Sequence, residues 1–354
     1  MTGTVAFDIS RTTESRLSEV DLENPVFGLH YSDHMFVSDY DNSQWAASRI
    51  VPFGDLSVSP ANAALHYGQS IFEGLKAHKA DNGDILIFRG EANAKRMMQS
   101  AERMCMPPVP VELFMESIVQ LINLDRDWVP EVPGSSLYIR PFQFATDPYI
   151  GVKPSQSYSF MVFTGPVGAY YSAPVKVIVE KHYTRAVKGG VGAAKTAGNY
   201  AASLYPAKLA QEQGYEQLIW TDAVSHEYIE ECGTMNLMFV IGEKLVVPQL
   251  NDSILAGITR DSAITLAKEW GITVEERAIR VDEIIGAIEK DQLKDAFGIG
   301  TAATISPISH IANDGIEYEL PPVESRTISN RLLQALNDIK LGRAEDRYNW
   351  ITRV

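Results

Sequence analysis

The stretch "KGGVGAAKTAGNY", residues Lys188–Tyr200, contains the lysine on which the interpretation of the whole chain depends. Its part Gly189–Thr196 differs from the phosphate-loop pattern G-x-x-x-x-G-K-[ST] at one position, where Ala194 replaces the last glycine. A phosphate loop follows its strand directly and needs glycine where backbone approaches phosphate, but nine residues separate "VKVIV" from this segment. "LIWTD", ending at Asp222, still fits the strand and magnesium-binding aspartate of such proteins. The stretch alone therefore allows Lys195 to be a nucleotide ligand, a solvated surface lysine or a reactive amine.

The composition excludes several classes of partner. The 354 residues include 45 acidic and 31 basic side chains, which give a net charge of −14. An anionic surface without a basic cluster repels nucleic acid and anionic lipid, so neither is expected as a partner. The start "MTGTVAFDISRTTESRL" has no basic residues before an apolar run, so it is not expected to be a signal peptide, and every apolar run is too short for a membrane span. The chain has only two cysteines, which do not form a disulfide framework and predict a cytoplasmic protein. Its seven histidines lack the spacing of a metal site.

Strand-like and helix-like runs alternate along the chain, and this alternation predicts an α/β fold. The length favours two domains. The passage "GPVGAYYSAP", residues 165–174, has neither periodicity and predicts a linker between a domain at 1–164 and one at 175–354. Helices with a regular apolar face or clear end signals are predicted at 92–104, 111–124, 260–271 and 323–342.

Three further motifs carry groups suited to binding an anionic cofactor. "EECGTMN", residues 230–236, places a pair of carboxylates before a Gly-Thr turn and a strand. "LAGITRDS", residues 255–262, places small residues at the start of a helix, where N–H groups and the helix dipole attract anions. "GIGTAA", residues 298–303, is a second Gly/Thr loop with a hydroxyl.

A lysine, a carboxylate and two anion loops in this order resemble the fold-type IV pyridoxal-phosphate enzymes, and specifically the branched-chain aminotransferases of class IV. The shared motifs are "VFGLHYSDHM" (26–35), "HYGQSIFEGLKA" (66–77), "ANAKRM" (92–97), "YIRP" (138–141), "GAAKTAGNYAASL" (192–204), "EECGTMN" (230–236), "GITR" (257–260) and "GTAA" (300–303). The resemblance implies two α/β domains with pyridoxal 5'-phosphate between them, in a homodimer. It also implies reversible, ping-pong amino-group transfer between leucine, isoleucine or valine and 2-oxoglutarate, so the partners are amino acids and 2-oxo acids.

The resemblance assigns three catalytic residues. Lys195 corresponds to the lysine that binds the cofactor aldehyde and then moves a proton, and Tyr200 to the tyrosine that hydrogen-bonds the cofactor's phenolic oxygen. Glu231 corresponds to the carboxylate that pairs with the pyridine nitrogen. Its neighbour Glu230 points to the opposite face of an extended strand and is expected to be solvated. The remaining cofactor ligands that the resemblance implies, chiefly for the phosphate, are Arg96, Gly257, Ile258, Thr259 and Thr301.

The substrate side is indicated by "LYIRPF", in which the strand period places Tyr138 and Arg140 on one face. The resemblance implies that Arg140 binds the γ-carboxylate when glutamate is the amino donor. The other substrate contacts that it implies are Phe27, Tyr67, Tyr138, Thr234, Thr301 and Ala302.

Two other interpretations remain open. A D-amino-acid aminotransferase or an aminodeoxychorismate lyase of the same fold shares Lys195 and Glu231, although "YIRP" with "FEGLKA" is not expected there. A protein that carries the cofactor without turnover is the other. The chain also lacks the oxidation-sensitive C-x-x-C pair of mammalian relatives, because Ala303 and Ser306 occupy those positions, so no redox switch is expected.

Overall fold

The computed structural model describes residues 7–168 and 173–354 of the chain. Over these residues the contacts divide into two compact units, and each is built on its own sheet. The first unit comprises Met1–Tyr170, Ala194–Ala197 and Asp338–Val354, and the second comprises Tyr171–Ala193 and Gly198–Asn337. The predicted α/β fold is confirmed.

The units differ from the predicted domains, 1–164 and 175–354, at two places. Ala194–Ala197 and Asp338–Val354 belong to the first unit, because each forms β contacts with its sheet. These contacts join positions far apart in the sequence, which periodicity does not reveal. In the predicted linker 165–174, residues 165–167 end a strand and residues 169–172 lie outside the described residues. The extent of the linker therefore stays a prediction.

The sheet of the first unit is mainly antiparallel. Its strands, in chain order, are β1 (Phe7–Ile9), β2 (His34–Asp41), β3 (Gln44–Trp45), β4 (Ser48–Pro52), β5 (Ser70–Phe72), β6 (Leu75–Lys79), β7 (Ile85–Phe88), β8 (Ser136–Ala145) and β9 (Tyr158–Val167). Strands β8 and β9 pair along their whole length, and β2 lies on the far side of β9. Strands β5 and β6 both pair with β8, so the short connection between them runs beside it.

Three α-helices belong to the described part of the first unit: α1 (Ala63–Tyr67), α2 (Gly90–Arg103) and α3 (Val111–Leu124). The predicted helix 111–124 has the same bounds as α3, and the one predicted at 92–104 lies within one residue of the end of α2. Phe114 and Ile118 of α3 are fully buried in one core with Phe36 and Phe160 of the sheet. Because the apolar residues of this face repeat at the helical period, the sequence predicts α3 correctly.

The sheet of the second unit mixes parallel and antiparallel pairs. Its strands are β10 (Val175–Val179), β11 (Gln217–Thr221), β12 (Ile229–Cys232), β13 (Met235–Ile241), β14 (Lys244–Pro248), β15 (Val274–Arg277), β16 (Leu293–Gly300), β17 (Thr304–Asn313) and β18 (Ile316–Glu319). Strand β10 runs parallel to β11 and β17, whereas β12 pairs antiparallel with β11 and β13. Strand β12 is thus covered on both edges, and its four residues are buried.

The helices of this part of the chain are α4 (Ala197–Glu212), α5 (Ile258–Glu269), α6 (Val281–Glu289) and α7 (Thr327–Lys340). Gly271 adopts a positive φ of 75° just beyond α5, which confirms it as the stop signal. The single helix predicted at 323–342 is wrong at its start. A 3₁₀ turn occupies Val323–Ser325, and the buried Arg326 is extended before α7 because its guanidinium binds Asp295 and the carbonyl of Pro321.

The C-terminal strand β19 (Ile351–Arg353) runs antiparallel to β7 in the first unit. The carbonyl of Trp350 accepts the N–H of Arg89 at 2.6 Å, and its ring lies 5.6 Å from that of Phe88 in an edge-to-face arrangement. The last residues of the chain therefore complete the first sheet, although the sequence places them after every strand of the second.

Candidate active site

Lys195 lies in an extended segment that the first unit holds by its backbone. Its N–H donates to Ser100 Oγ at 2.9 Å, and its carbonyl accepts the N–H of Phe72 at 3.0 Å. The next residue, Thr196, donates its hydroxyl to the carbonyl of Ser70 at 2.7 Å. The Lys195 Nζ lies 4.9 Å from the centroid of the Phe72 ring. The backbone bonds fix where the lysine side chain begins, independently of what its amine does.

Arg96 extends from α2 to a completely buried carboxylate that the sequence did not suggest as a partner. Its Nε and Nη2 donate to Glu73 Oε1 and Oε2, both at 2.7 Å. Glu73 is fixed in turn, because its N–H donates to the carbonyl of Pro141 at 2.7 Å. A bidentate pair of this kind holds the guanidinium in one orientation. Arg96 is therefore buried and aligned rather than part of a solvated helix face.

Aromatic rings surround the guanidinium of Arg140 on strand β8. Arg140 Nη2 donates to Tyr138 Oη at 2.9 Å, and its Cζ lies 4.6 Å from the centre of the Phe72 ring. The Phe27 ring meets the Tyr138 ring edge-on, with 5.1 Å between centroids. The predicted alternation of β8 is confirmed, since its intervening residues are fully buried. Tyr67 ends α1, is 39% exposed and lies beside the His66 ring, so its substrate role stays a prediction.

In the second unit, Glu231 is a buried carboxylate with a cationic neighbour. It is only 3% exposed, and its Oε1 accepts the N–H of Leu255 at 2.7 Å. Arg185 Nε lies 3.2 Å from Oε2, an ion pair that does not meet hydrogen-bond geometry. Arg185 also donates from Nη2 to the carbonyls of Gly192 and Ser253. The guanidinium thus stabilises the negative charge of Glu231 and links its strand to two loops.

Glu230 was expected to be solvated, and that expectation is wrong. Its exposed fraction is 7%, and it accepts a short hydrogen bond from the hydroxyl of Ser253. The two glutamates do have different partners, as opposite faces of a strand require. Both are buried because β12 is an inner strand, so neither face meets solvent. Burial raises the pKa of Glu230, against the lowering effect of the Ser253 bond and of Arg185.

The start of α5 has the features of an anion-binding helix terminus. Gly257 is the residue before the helix, and Ile258 and Thr259 begin it; both are buried. A Cβ on Gly257 would lie 1.9 Å from Asn236 Oδ1, so only glycine allows this approach. The amide of Asn236 donates to the carbonyl of Leu255 at 2.9 Å. Strand β13 therefore supports the turn that leads both to the Glu231 contact and to the helix N-terminus.

The remaining predicted residues of the second unit lie in α4 and in two turns. Tyr200 is half-buried in the first turns of α4. Thr234 is exposed between β12 and β13, and Thr301 and Ala302 form a half-buried turn between β16 and β17. Their assigned contacts with cofactor or substrate stay predictions.

The interpretation of Asp222 as a magnesium ligand is not favoured by its surroundings. Its carboxylate accepts backbone N–H groups of Ser225, Glu227 and Tyr228 at 2.8 to 2.9 Å. Burial raises its pKa, but the bonds from Ser225 and Tyr228 outweigh this and lower it to about 2. The aspartate therefore closes the turn after β11. Among the described residues, no group of three or more His, Cys, Asp or Glu could hold a metal ion.

Sequence reasoning missed the partners that hold the predicted groups. Glu73 lies within the quoted "FEGLKA" motif, but nothing local indicated that it pairs with Arg96, 23 positions away. Arg185 approaches Glu231, and Ser253 approaches Glu230, only after folding. Arginine is almost never fully buried without a partner, so the unassigned carboxylate of Glu73 within a motif was the signal that the sequence offered.

Comparison with known protein families identifies the class. A model described as "Amino-transferase class IV" matches residues 70–311, which is more than half of the chain. That span includes Lys195, Arg96 and Glu231. The chain belongs to the class IV aminotransferases, which use pyridoxal phosphate.

Similarity to individual proteins identifies the family within class IV. Branched-chain-amino-acid transaminase 1 of Bacillus subtilis (strain 168) is 46% identical over 333 residues, covering 93% of this chain and 94% of that protein. The branched-chain amino acid aminotransferase from Escherichia coli superposes with a TM-score of 0.71 at 29% identity, covering 90% of this chain and 98% of that one. The branched-chain aminotransferase from Thermoproteus uzoniensis, solved with norvaline, gives 0.76 at 26% identity, covering 90% and 99%. Within class IV, the chain is therefore a member of the branched-chain aminotransferase family.

The donor groups in the structure fit pyridoxal phosphate. The carboxylate of Glu231, paired with Arg185, suits a protonated ring nitrogen. The start of α5 suits a phosphate, because the residue before it, Gly257, provides no capping side chain and the helix dipole attracts an anion there. In the first unit, the oriented guanidinium of Arg96 suits an anion, and the amine of Lys195 suits an aldehyde. Among the described residues, none of the helices has the length and apolar character needed to cross a bilayer.

Mild oxidation should leave activity intact. Cys232 is fully buried next to Glu231, and burial together with that charge raises its pKa to about 12, so almost no thiolate exists at neutral pH. Cys105 is exposed and should be the residue that peroxide modifies. Peptide mapping and activity after peroxide treatment, with Cys105→Ser as the control, measure this. Inactivation reversed by a dithiol, with a Cys105–Cys232 crosslink, would contradict it.

Proposed function

We propose that this chain exchanges the amino group between leucine, isoleucine or valine and 2-oxoglutarate, with pyridoxal 5'-phosphate as cofactor. The relatives named above, at up to 46% identity, support the proposal. The reaction needs one pocket that accepts an aliphatic side chain in one half-reaction and a γ-carboxylate in the other.

The observation that carries the proposal is the environment of Arg140. Its guanidinium lies over the Phe72 ring and is hydrogen-bonded by Tyr138, so the cation sits within apolar surface. A γ-carboxylate gains a charge-assisted bond to Arg140, whereas a branched side chain contacts the rings of Phe27, Phe72 and Tyr138. A cation held against aromatic faces is stabilised without a carboxylate partner, which lets the same site serve both substrates.

Other side chains of this protein bind the cofactor and move the proton in the proposed reaction. Bound pyridoxal phosphate supplies an aldehyde and a ring that accepts electrons. Lys195 would hold the cofactor at its aldehyde and would move a proton at the substrate α-carbon, and Glu231 would stabilise the protonated ring nitrogen. Cofactor contacts that we propose beyond these are Arg96, Tyr200, Gly257, Ile258, Thr259 and Thr301. Substrate contacts that we propose beyond Phe27, Tyr138 and Arg140 are Tyr67, Thr234, Thr301 and Ala302.

We further propose that the enzyme acts in the cytoplasm as a homodimer. The net charge of −14 and the paucity of cysteine support the first point. Exposed apolar residues on the first unit support the second, among them Tyr149, Ile150 and Val152, with Val152 90% exposed.

The test follows the absorbance of the bound cofactor in two steps. L-Leucine should bleach the band of the cofactor-loaded protein, and 2-oxoglutarate should restore it. D-Leucine is the matched control and should leave the band unchanged. A response to D-leucine alone would favour a D-amino-acid aminotransferase, and no response to either would indicate a carrier without turnover.

A further inference from the structure

Gly74 lies so close to Tyr138 of the proposed substrate pocket that a side chain at this position would overlap the tyrosine. It occupies the connection between β5 and β6, and continuing their pairing with β8 places it opposite Arg140. A Cβ on Gly74 would lie 2.3 Å from Tyr138 Oη and 3.1 Å from its Cζ. Gly74 is not among the glycines with positive φ, so the backbone itself would accept alanine. The requirement for glycine here is therefore one of space, and the tyrosine hydroxyl imposes it.

The Tyr138 hydroxyl is in turn a polar anchor for Arg140. It accepts from Arg140 Nη2 at 2.9 Å, and the ring is confined by Phe27. Arg140 Nε is buried and makes no hydrogen bond to any of the described residues. The rings of Phe72 and Tyr138 attract the guanidinium as a whole, whereas the hydrogen bond to Tyr138 Oη holds one of its N–H groups in place. Moving the hydroxyl would therefore release the guanidinium from its orientation.

We propose that Gly74 is a positioning residue that determines substrate specificity. Its missing side chain leaves room for Tyr138 Oη, the hydroxyl orients Arg140, and Arg140 receives a γ-carboxylate. The inference rests on the proposed function, since it assigns Arg140 to acidic substrates. An added methyl group at position 74 displaces the hydroxyl and weakens recognition of glutamate and 2-oxoglutarate. Aliphatic substrates, which make no bond to the guanidinium, are affected less.

The experiment is a double-mutant cycle on the cofactor-loaded enzyme. Gly74→Ala, Tyr138→Phe and the double variant are compared with wild type for glutamate and for leucine. Each amino acid is paired with a 2-oxo acid that lacks a γ-carboxylate. Gly74→Ala should lower kcat/KM for glutamate about tenfold or more, mainly through KM, with a smaller loss for leucine. Tyr138→Phe removes the hydroxyl, so adding Gly74→Ala to it should cost little more for glutamate.

A second readout does not depend on turnover. The thermal midpoint of the cofactor-free protein should fall on Gly74→Ala, because the displaced ring loses its packing. The fall should be much smaller in the Tyr138→Phe background, where the nearest ring atom is 3.1 Å away and needs only a small shift. Gly286→Ala is the matched control, since a Cβ there meets nothing within 4 Å.

Two results would overturn the inference. The losses for glutamate could multiply in the double variant, or Gly74→Ala could impair glutamate and leucine equally. If Gly74→Ala does not fold, the inference requires that the double variant folds and has the same kcat/KM for glutamate as Tyr138→Phe. A double variant that also fails to fold would overturn the inference. Failure of the proposed function is recognised separately, because the wild-type enzyme itself would then not exchange leucine with 2-oxoglutarate.

Discussion

Lys195→Ala should give a folded protein that keeps pyridoxal phosphate only noncovalently and has lost nearly all turnover. The backbone of this residue makes the local bonds, to Ser100 Oγ and from the N–H of Phe72, and alanine retains both. What alanine removes is the amine that we propose to bind the cofactor and move the proton. Loss of positioned proton transfer alone costs on the order of 10²–10⁴-fold in rate.

The measurement compares kcat, the visible absorbance of the bound cofactor and the thermal midpoint of the variant with those of wild type. Lys188→Ala is the matched control, because it removes an exposed lysine from the same loop. It should leave all three quantities nearly unchanged. Near-normal kcat in Lys195→Ala would exclude the role assigned to this amine, whereas an unfolded protein would show that the side chain is also structural.

Glu231→Gln should reduce turnover severely, whereas Glu230→Gln should change it by no more than a few-fold. Glu231 is the carboxylate that pairs with Arg185 and that we propose to hold a proton on the cofactor ring, and glutamine offers no negative charge for this. Removing one preorganised electrostatic group from an active site costs on the order of 10²–10³-fold in kcat. Steady-state rates and the dissociation constant of the cofactor for both variants measure the difference.

The same pair of variants should separate in a stability measurement. Burial raises the pKa of Glu230 in the folded protein above its ordinary value of 4.5. The folded state therefore binds this proton more tightly than the unfolded state, and the resulting stability is present below pH 4.5 and lost as pH rises through the raised pKa. Glutamine carries no such titration and keeps an oxygen for Ser253. The unfolding free energy of Glu230→Gln should thus gain on wild type as pH rises through this window.

Glu231→Gln breaks an ion pair with a buried guanidinium and should be less stable than wild type at neutral pH. Reversed effects on turnover, with Glu230→Gln the more damaging, would show that the two carboxylates exchange roles. A pH profile of Glu230→Gln parallel to that of wild type would contradict the raised pKa.

Local patterns in the sequence predicted whatever depends on neighbouring residues. Strand β8 and helix α3 were predicted correctly because one face of each is apolar and the period of that face is visible over a few residues. The two neighbouring glutamates were assigned to opposite faces for the same reason. Their burial was mispredicted, because whether β12 is an inner or an edge strand depends on which strands pair with it.

By itself the sequence determined the fold class and the family, because short motifs carry these at fixed spacing, and it predicted the lysine and the carboxylate of the site. Only the tertiary structure decided how the groups are held. Arg96 forms a bidentate pair with Glu73, and Arg185 forms an ion pair with Glu231. Gly74 leaves space for the hydroxyl of Tyr138. Each pair joins segments that lie apart in the chain and approach only when sheets and loops assemble. These contacts matter because the groups are buried. Inside the protein an unpaired charge is costly and a methyl group needs space, whereas on the surface water solvates the charge and leaves room for the methyl group.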